Sequence, residues 1–153
     1  MTLLNVTEHY LLFELSGRQK EILERLLGKY PVANSRFNSI SRTVDESELE
    51  EEQNMLDEAL AETRKENRRQ IGNFLREPGR FAEQEDGWHM KIRPVQVAWL
   101  LQVFNEIRVG YWHELGCPEE EDAKLTAETA EKIFFMELCA HFQMVLISAA
   151  ETT

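Results

Sequence analysis

The sequence predicts a mainly α-helical single domain over residues 1–153, with four to five helices packed around an apolar C-terminal helix and one small two-stranded β-ribbon. Three observations predict this fold class. Most of the chain repeats apolar residues at helical spacing, the last repeating segment is the most apolar, and only two short segments resemble strands. A chain of 153 residues is also long enough to bury a core without disulfides or a structural metal.

The N-terminal residues predict a strand followed by a short helix. Residues 9–15 form the first predicted strand. Ser16 and Gln19 have the spacing of a capping box, and the apolar residues after them recur at helical intervals, so we expect a helix over 17–28. Residues 31–43 contain proline, asparagine and several hydroxyl side chains, which predicts a loop.

A long helix is predicted next, from near residue 45 to about Glu77, where Pro78 ends it. Its apolar stripe is thin and its charges are segregated. Residues 45–62 hold nine acidic and no basic side chains, whereas residues 64–80 hold six basic and two acidic ones. One interpretation of this order is structural, because acidic residues at the start of a helix and basic residues at its end complement the helix dipole. The other interpretation is a surface that faces a partner.

The C-terminal half predicts the second strand and two further helices. Residues 88–92 alternate like a strand, and we expect them to pair with residues 9–15 as the ribbon. A helix opening with proline is predicted over 94–115, followed by an acidic loop over 117–125. The last helix, predicted over 126–149, is apolar enough to be the central one.

The composition bears on the partners that the protein could have. Seventeen basic and 28 acidic residues give a net charge of −11, which repels nucleic-acid backbones and anionic membrane surfaces. The apolar runs are far shorter than the roughly 20 residues that span a bilayer, and the N-terminal residues do not have the pattern of a signal peptide. We therefore expect a cytoplasmic protein with neither a membrane nor nucleic acid among its partners.

A search for catalytic motifs in the sequence finds none. There is no Gly-x-Gly, no phosphate-binding loop and no nucleophile elbow. None of the four histidines completes a Glu-x-x-His motif, and the spacing of His113, Cys117, Cys139 and His141 is poor for one tetrahedral zinc site. We therefore expect no enzymatic activity, no catalytic residues, no metal and no cofactor.

One polar cluster, formed by Asn105, Glu106 and Arg108, lies in the middle of a predicted helix. Asparagine is a weak helix former, so its presence there calls for a reason. A structural network at a helix crossing is one interpretation. The other is a site for a small molecule or a reaction near Glu106 and Arg108.

A second cluster consists of Arg64, Lys65, Arg68 and Arg69, whose spacing places them on one side of the long helix. It is a candidate patch for docking a partner. The cluster lacks interleaved aromatic residues and has acidic neighbours, so DNA binding by a transcriptional regulator is the alternative and not the first interpretation.

The motif Trp99-Leu100-Leu101-x-x-x-Asn105-Glu106-Ile107-Arg108, followed by Leu115-Gly116, resembles the most recognisable stretch of a bacterial family of unknown function. That family consists of small uncharacterised proteins common in actinobacteria, some encoded beside the Clp protease adaptor. The chain has Glu106 where the family has Asp, and Glu114 near where it often has Arg, which indicates a divergent member. The resemblance implies a small cytosolic bacterial protein without assigned catalytic residues.

These observations together predict a non-enzymatic interaction or regulatory module that acts through protein–protein contacts. Its partner would be another protein, for which the resemblance suggests the Clp protease system, or a second copy of the chain in a homo-oligomer. The alternatives are a DNA-binding transcriptional regulator, and a small-molecule binder or enzyme with its site near Glu106 and Arg108.

Overall fold

Residues 1–32, 46–119 and 125–152 are described by a computed structural model, and they form four helices and four strands. Most of the predicted loop over 31–43, and the middle of the predicted loop over 117–125, lie outside these residues. The elements in chain order are β1 (Thr2–Val6), β2 (Leu11–Leu15), α1 (Gly17–Leu27), α2 (Glu46–Arg76), β3 (Phe81–Gln84), β4 (Gly87–Ile92), α3 (Pro94–Glu114) and α4 (Ala130–Glu151).

The four strands form one antiparallel sheet in the order β1-β2-β4-β3. The two strands predicted from the sequence are its central pair, with Leu11 opposite Ile92 and Leu15 opposite Trp88. Each central strand also pairs with its neighbour along the chain, so the sheet consists of two hairpins joined through β2 and β4.

The predicted mainly α class with a two-stranded ribbon was wrong, because the fold is α+β with a four-stranded sheet. The two missed strands, β1 and β3, are edge strands whose side chains are mostly exposed. Only Leu3, Val6 and Phe81 in these strands pack partly against the core, which is too few for a clear apolar alternation, so periodicity does not reveal the strands. The extra pairing also supplies the stability that an isolated two-stranded ribbon lacks.

The helices follow the predicted bounds closely, except at the start of α4. The capping box before α1 is present, since the Gln19 amide donates to Ser16 Oγ at 3.1 Å and the Ser16 amide donates to Gln19 Oε1 at 2.9 Å. The last helix begins at Ala130 and not at Thr126, because the Thr126 amide donates to Thr129 Oγ1 at 2.9 Å in a turn that precedes the helix.

The core lies between the sheet and the helices, and α3 and α4 pack against each other along it. The ring of Phe104 stacks on Phe142 with 5.6 Å between centroids, and Tyr111 stacks on Phe135 at 5.8 Å. A Cβ on Gly110 would lie 2.6 Å from the Val32 Cβ. The glycine therefore lets the segment after α1 approach the α3 backbone closely.

One side of α4 is buried in this core, and the other side is apolar as well. Phe135, Cys139, Phe142, Leu146 and Ala149 are buried. Exposed apolar side chains on the opposite side are Phe134, Met144 and Ile147. By length and composition alone, α4 would also be able to cross a membrane.

Candidate functional site

A chain of polar contacts joins three segments of the fold at the side of α3. The indole nitrogen of Trp99 donates to Asn67 Oδ1 at 3.1 Å, and Asn67 Nδ2 donates to the Tyr30 hydroxyl at 2.9 Å. The pKa of Tyr30 is raised to about 12, chiefly by burial and also by a hydrogen bond to Glu106 and the charge of Glu106, against the opposing effects of Asn67 and Arg64. These contacts connect the end of α1 with α2 and α3.

The predicted cluster of Asn105, Glu106 and Arg108 does not form one group. Arg108 donates to Asn105 Oδ1 at 3.0 Å on the surface, whereas Glu106 is half-buried and interacts with Tyr30. In the described part of the chain, Glu106 and Arg108 form no ion pair. The arrangement supplies a tie between helices and an exposed local pair, but it does not assemble an acid beside an arginine.

A groove of about 570 Å³ opens between the end of α2 and the start of α3. Trp99 and Phe74 contribute its aromatic surface, with 5.8 Å between their ring centroids. The guanidinium groups of Arg76 and Arg93 give it positive charge. The remaining residues that line the groove are Gln70, Asn73, Glu77, Pro78, Val95 and Gln96. The residues at 105, 106 and 108 are not part of this lining.

Behind the groove lies Arg80, the buried charged residue of the described chain, with 4% of its surface exposed. Its Nε donates to the Phe74 carbonyl at 3.0 Å, its other guanidinium nitrogens contact the Lys91 carbonyl, Glu77 and Gln96, and its carbon lies 3.9 Å from the Phe74 ring centroid. Burial lowers the pKa of Arg80, and the charge of Glu77 opposes that shift. Sequence reasoning missed this residue because nothing in the local pattern distinguishes it from the other basic side chains.

The long helix α2 presents two different faces. Its inner face is half-buried along most of its length and becomes buried at Ile71 and Phe74. The positions of this inner face are 49, 53, 56, 60, 64, 67, 71 and 74. Its outer face is exposed at every position except Gly72, which is half-buried. The positions of this outer face are 48, 51, 55, 58, 62, 65, 69, 72 and 76.

The predicted basic patch is divided between the half-buried inner face of α2 and its exposed surface. Arg64 is half-buried on the inner face, whereas Lys65, Arg68 and Arg69 are exposed. Arg69 Nε donates to Glu66 Oε2 at 3.0 Å, and this contact holds the pKa of Glu66 at about 2. Three of the four predicted side chains are therefore exposed, and one of these, Arg69, is paired with Glu66.

The two cysteines differ in their exposure to solvent. Cys139 is buried, and burial raises the pKa of its thiol to about 12. Cys117 is exposed, with its sulfur 3.4 Å from His113 Nδ1. Within the described ranges, no three His, Cys, Asp or Glu side chains are placed to hold one metal ion.

The chain matches no protein-family model, no curated protein and no solved structure. The resemblance to the actinobacterial family stays a prediction. Any function must therefore be inferred from the surfaces described above.

Proposed function

We propose that this chain is a non-enzymatic interaction module that acts through protein–protein contacts, with the outer face of α2 as its docking surface. The observation that supports this proposal is the exposure of that face from Glu48 to Arg76, a length of about 40 Å at 1.5 Å per residue. Met55, in the middle of the acidic half, is 70% exposed. A long exposed helix face anchored from behind by Ile71 and Phe74 is well suited to present side chains to a partner.

The chemistry of the face indicates the kind of partner. Acidic side chains occupy its N-terminal half and basic ones its C-terminal half. Complementary charge gives orientation and selectivity more than affinity, so a matching partner presents the opposite order of charges. A DNA duplex is a poor match, because the acidic half would repel its phosphates. A component of the Clp protease system, suggested by the family resemblance, is the specific protein to test first.

The test is site-specific photocrosslinking in the host cell. A photoreactive residue at Glu58 lies on the outer face, and one at Glu21 on α1 is an exposed control outside it. We expect a discrete protein adduct at Glu58 that is absent at Glu21 and lost when Glu51 and Glu62 are changed to arginine. Equal adducts at both positions, or none at Glu58, would refute the docking face.

A second candidate is binding of a small anionic ligand in the groove between α2 and α3. The observation that favours it is the combination of Arg76, Arg93 and the Trp99 ring around an open volume of about 570 Å³. Titration with a panel of dicarboxylates, followed by tryptophan fluorescence, tests it. Saturable quenching in the wild type that is lost in Arg93→Gln supports the site, and a flat response in the wild type refutes it.

A further inference from the structure

The outer face of α2 forms one continuous seam along the helix. Its successive positions are separated by alternating steps of three and four residues, which keeps them on one side of a helix, and seven of the nine carry charged side chains instead of the apolar ones of a coiled-coil core. Those side chains are exposed, whereas the C-terminal part of the inner face contacts the rest of the chain through Asn67, Ile71 and Phe74. The helix therefore has one face that contacts the rest of the chain and a second face, this seam, against which the described residues place nothing.

The charge of this seam changes sign once. Up to Glu62 its positions carry acidic side chains or Met55, and from Lys65 onward they carry basic side chains or Gly72. Because the sign changes only once, the same seam of a second copy, running in the opposite direction, presents the complementary charges. Parallel pairing of two copies would oppose like charges, whereas antiparallel pairing opposes unlike charges at both ends.

We propose that the docking face pairs with the same face of a second copy of this chain, antiparallel, about a two-fold axis midway between Glu62 and Lys65. This inference rests on the proposed function of that face and names its partner. An interface of this kind is isologous, because each contact occurs twice. The contacts that anchor α2 to the rest of its own chain, at Asn67, Ile71 and Phe74, lie on the inner face and not on the paired side.

The register follows from the position of the axis. Glu62 faces Lys65 of the second copy, Glu58 faces Arg69, and Glu51 faces Arg76. Three pairs of opposite charge thus occur, each of them twice.

The same register places Met55 opposite Gly72 of the second copy. Met55 is the large exposed apolar side chain of α2, and Gly72 is the one seam position without a side chain. A Cβ on Gly72 would lie 3.0 Å from a guanidinium nitrogen of Arg76, so Arg76 covers the glycine in the single chain. When Arg76 turns to Glu51 of the second copy, the space over Gly72 becomes available to the methionine.

The association is expected to be salt-dependent, because exposed ion pairs are individually weak and are screened by electrolyte. Sedimentation velocity of the full chain at about 0.05 M and about 1 M salt measures this, since the Debye length falls to about 3 Å at the higher concentration. We expect dimers at low salt and monomers at high salt. A chain that is monomeric at low salt overturns the proposal.

Charge reversal provides the specific test. One variant carries Glu51→Arg, Glu58→Arg and Glu62→Lys, and the other carries Lys65→Glu, Arg69→Glu and Arg76→Glu. Each variant alone should be monomeric and the equimolar mixture should form a heterodimer. A control for net charge carries three reversals at exposed acids outside α2, namely Glu21→Arg, Glu83→Arg and Glu128→Arg, and it should dimerise as the wild type does. Dimers of either α2 variant alone, or a monomeric mixture of folded variants, would overturn the proposal.

Disulfide trapping tests the register in a Cys117→Ser background. A mixture of Met55→Cys and Gly72→Cys chains should form a covalent dimer, whereas Met55→Cys alone should not, because antiparallel pairing separates its two copies by about 25 Å along the axis. Trapping of Met55→Cys alone would indicate parallel pairing and refute the register. If no dimer forms but the Glu58 probe still captures another protein, the docking face survives and only its assignment to a second copy fails.

Discussion

Replacing Arg80 with methionine is expected to destabilise the fold substantially, because this side chain completes the end of α2. The Phe74 carbonyl would normally accept from the amide four residues later, but that residue is Pro78, which has no N–H. Arg80 Nε supplies the missing donor at 3.0 Å, and the same guanidinium contacts the Lys91 carbonyl. The side chain thus links the helix end to β4.

The magnitude follows from the groups left without partners. Each carbonyl that loses its donor costs about 1–3 kcal/mol, and Arg80 donates to two of them, those of Phe74 and Lys91. Glu77 is 38% exposed and keeps Arg93 at 3.5 Å, so the loss of its contact with Arg80 adds little. Since methionine still fills part of the space over Phe74, we expect a loss of about 3–5 kcal/mol in the free energy of unfolding. That is a large share of the roughly 5–15 kcal/mol typical of a domain.

Urea-induced unfolding followed by circular dichroism measures this loss. Arg93→Met is the matched control, because Arg93 is exposed and its ion pair with Glu77, at 3.5 Å, is a weak surface contact. We expect the control to change the free energy of unfolding by less than about 1 kcal/mol. A change below about 1 kcal/mol for Arg80→Met would refute the reasoning, since it would mean that water or other groups replace its contacts without cost.

Three further predictions concern Gly110, Tyr30 and the two cysteines. Gly110→Ala should lower the free energy of unfolding by about 1–3 kcal/mol, because its Cβ would lie 2.6 Å from Val32, and an unchanged melting temperature would contradict this. The neutral form of Tyr30 is favoured in the folded state. The stabilisation that this gives to the fold is therefore complete below pH 10 and is lost as the pH rises through about 12. Denaturation at several alkaline pH values should therefore show a shallower loss of stability for Tyr30→Phe than for the wild type. A thiol reagent should modify Cys117 quickly and Cys139 only after unfolding, and mass spectrometry showing equal labelling of both thiols in the folded protein would contradict the burial of Cys139.

The sequence predicted those elements whose signals are local. Ser16 and Gln19 identify the start of α1, Pro94 identifies the start of α3, and the two inner strands alternate clearly enough to be paired correctly. The edge strands escaped prediction because exposed side chains leave no pattern. The class was wrong for that reason alone, since each missed strand completes a hairpin with a predicted one.

The candidate sites were predictable only in part, because they depend on contacts between distant segments. The sequence places Glu106 beside Arg108, but the fold turns Glu106 toward Tyr30, which lies 76 positions earlier in the chain. The segregated charge of α2 is visible in the sequence. Which of its faces is exposed depends on the tertiary contacts of Ile71 and Phe74, which bury the opposite face.

The central pairing of β2 with β4 has a consequence for how the chain folds. The two hairpins form from neighbouring segments, but joining them brings Phe13 opposite Met90, with the whole of α2 in the intervening chain. Contacts between such distant residues must overcome loop-closure entropy, and high contact order slows folding. We therefore expect the hairpins to form early and independently, and their junction to set the folding rate. Substitutions at Phe13 or Met90 should slow refolding, whereas those on the outer face of α2 should leave it unchanged.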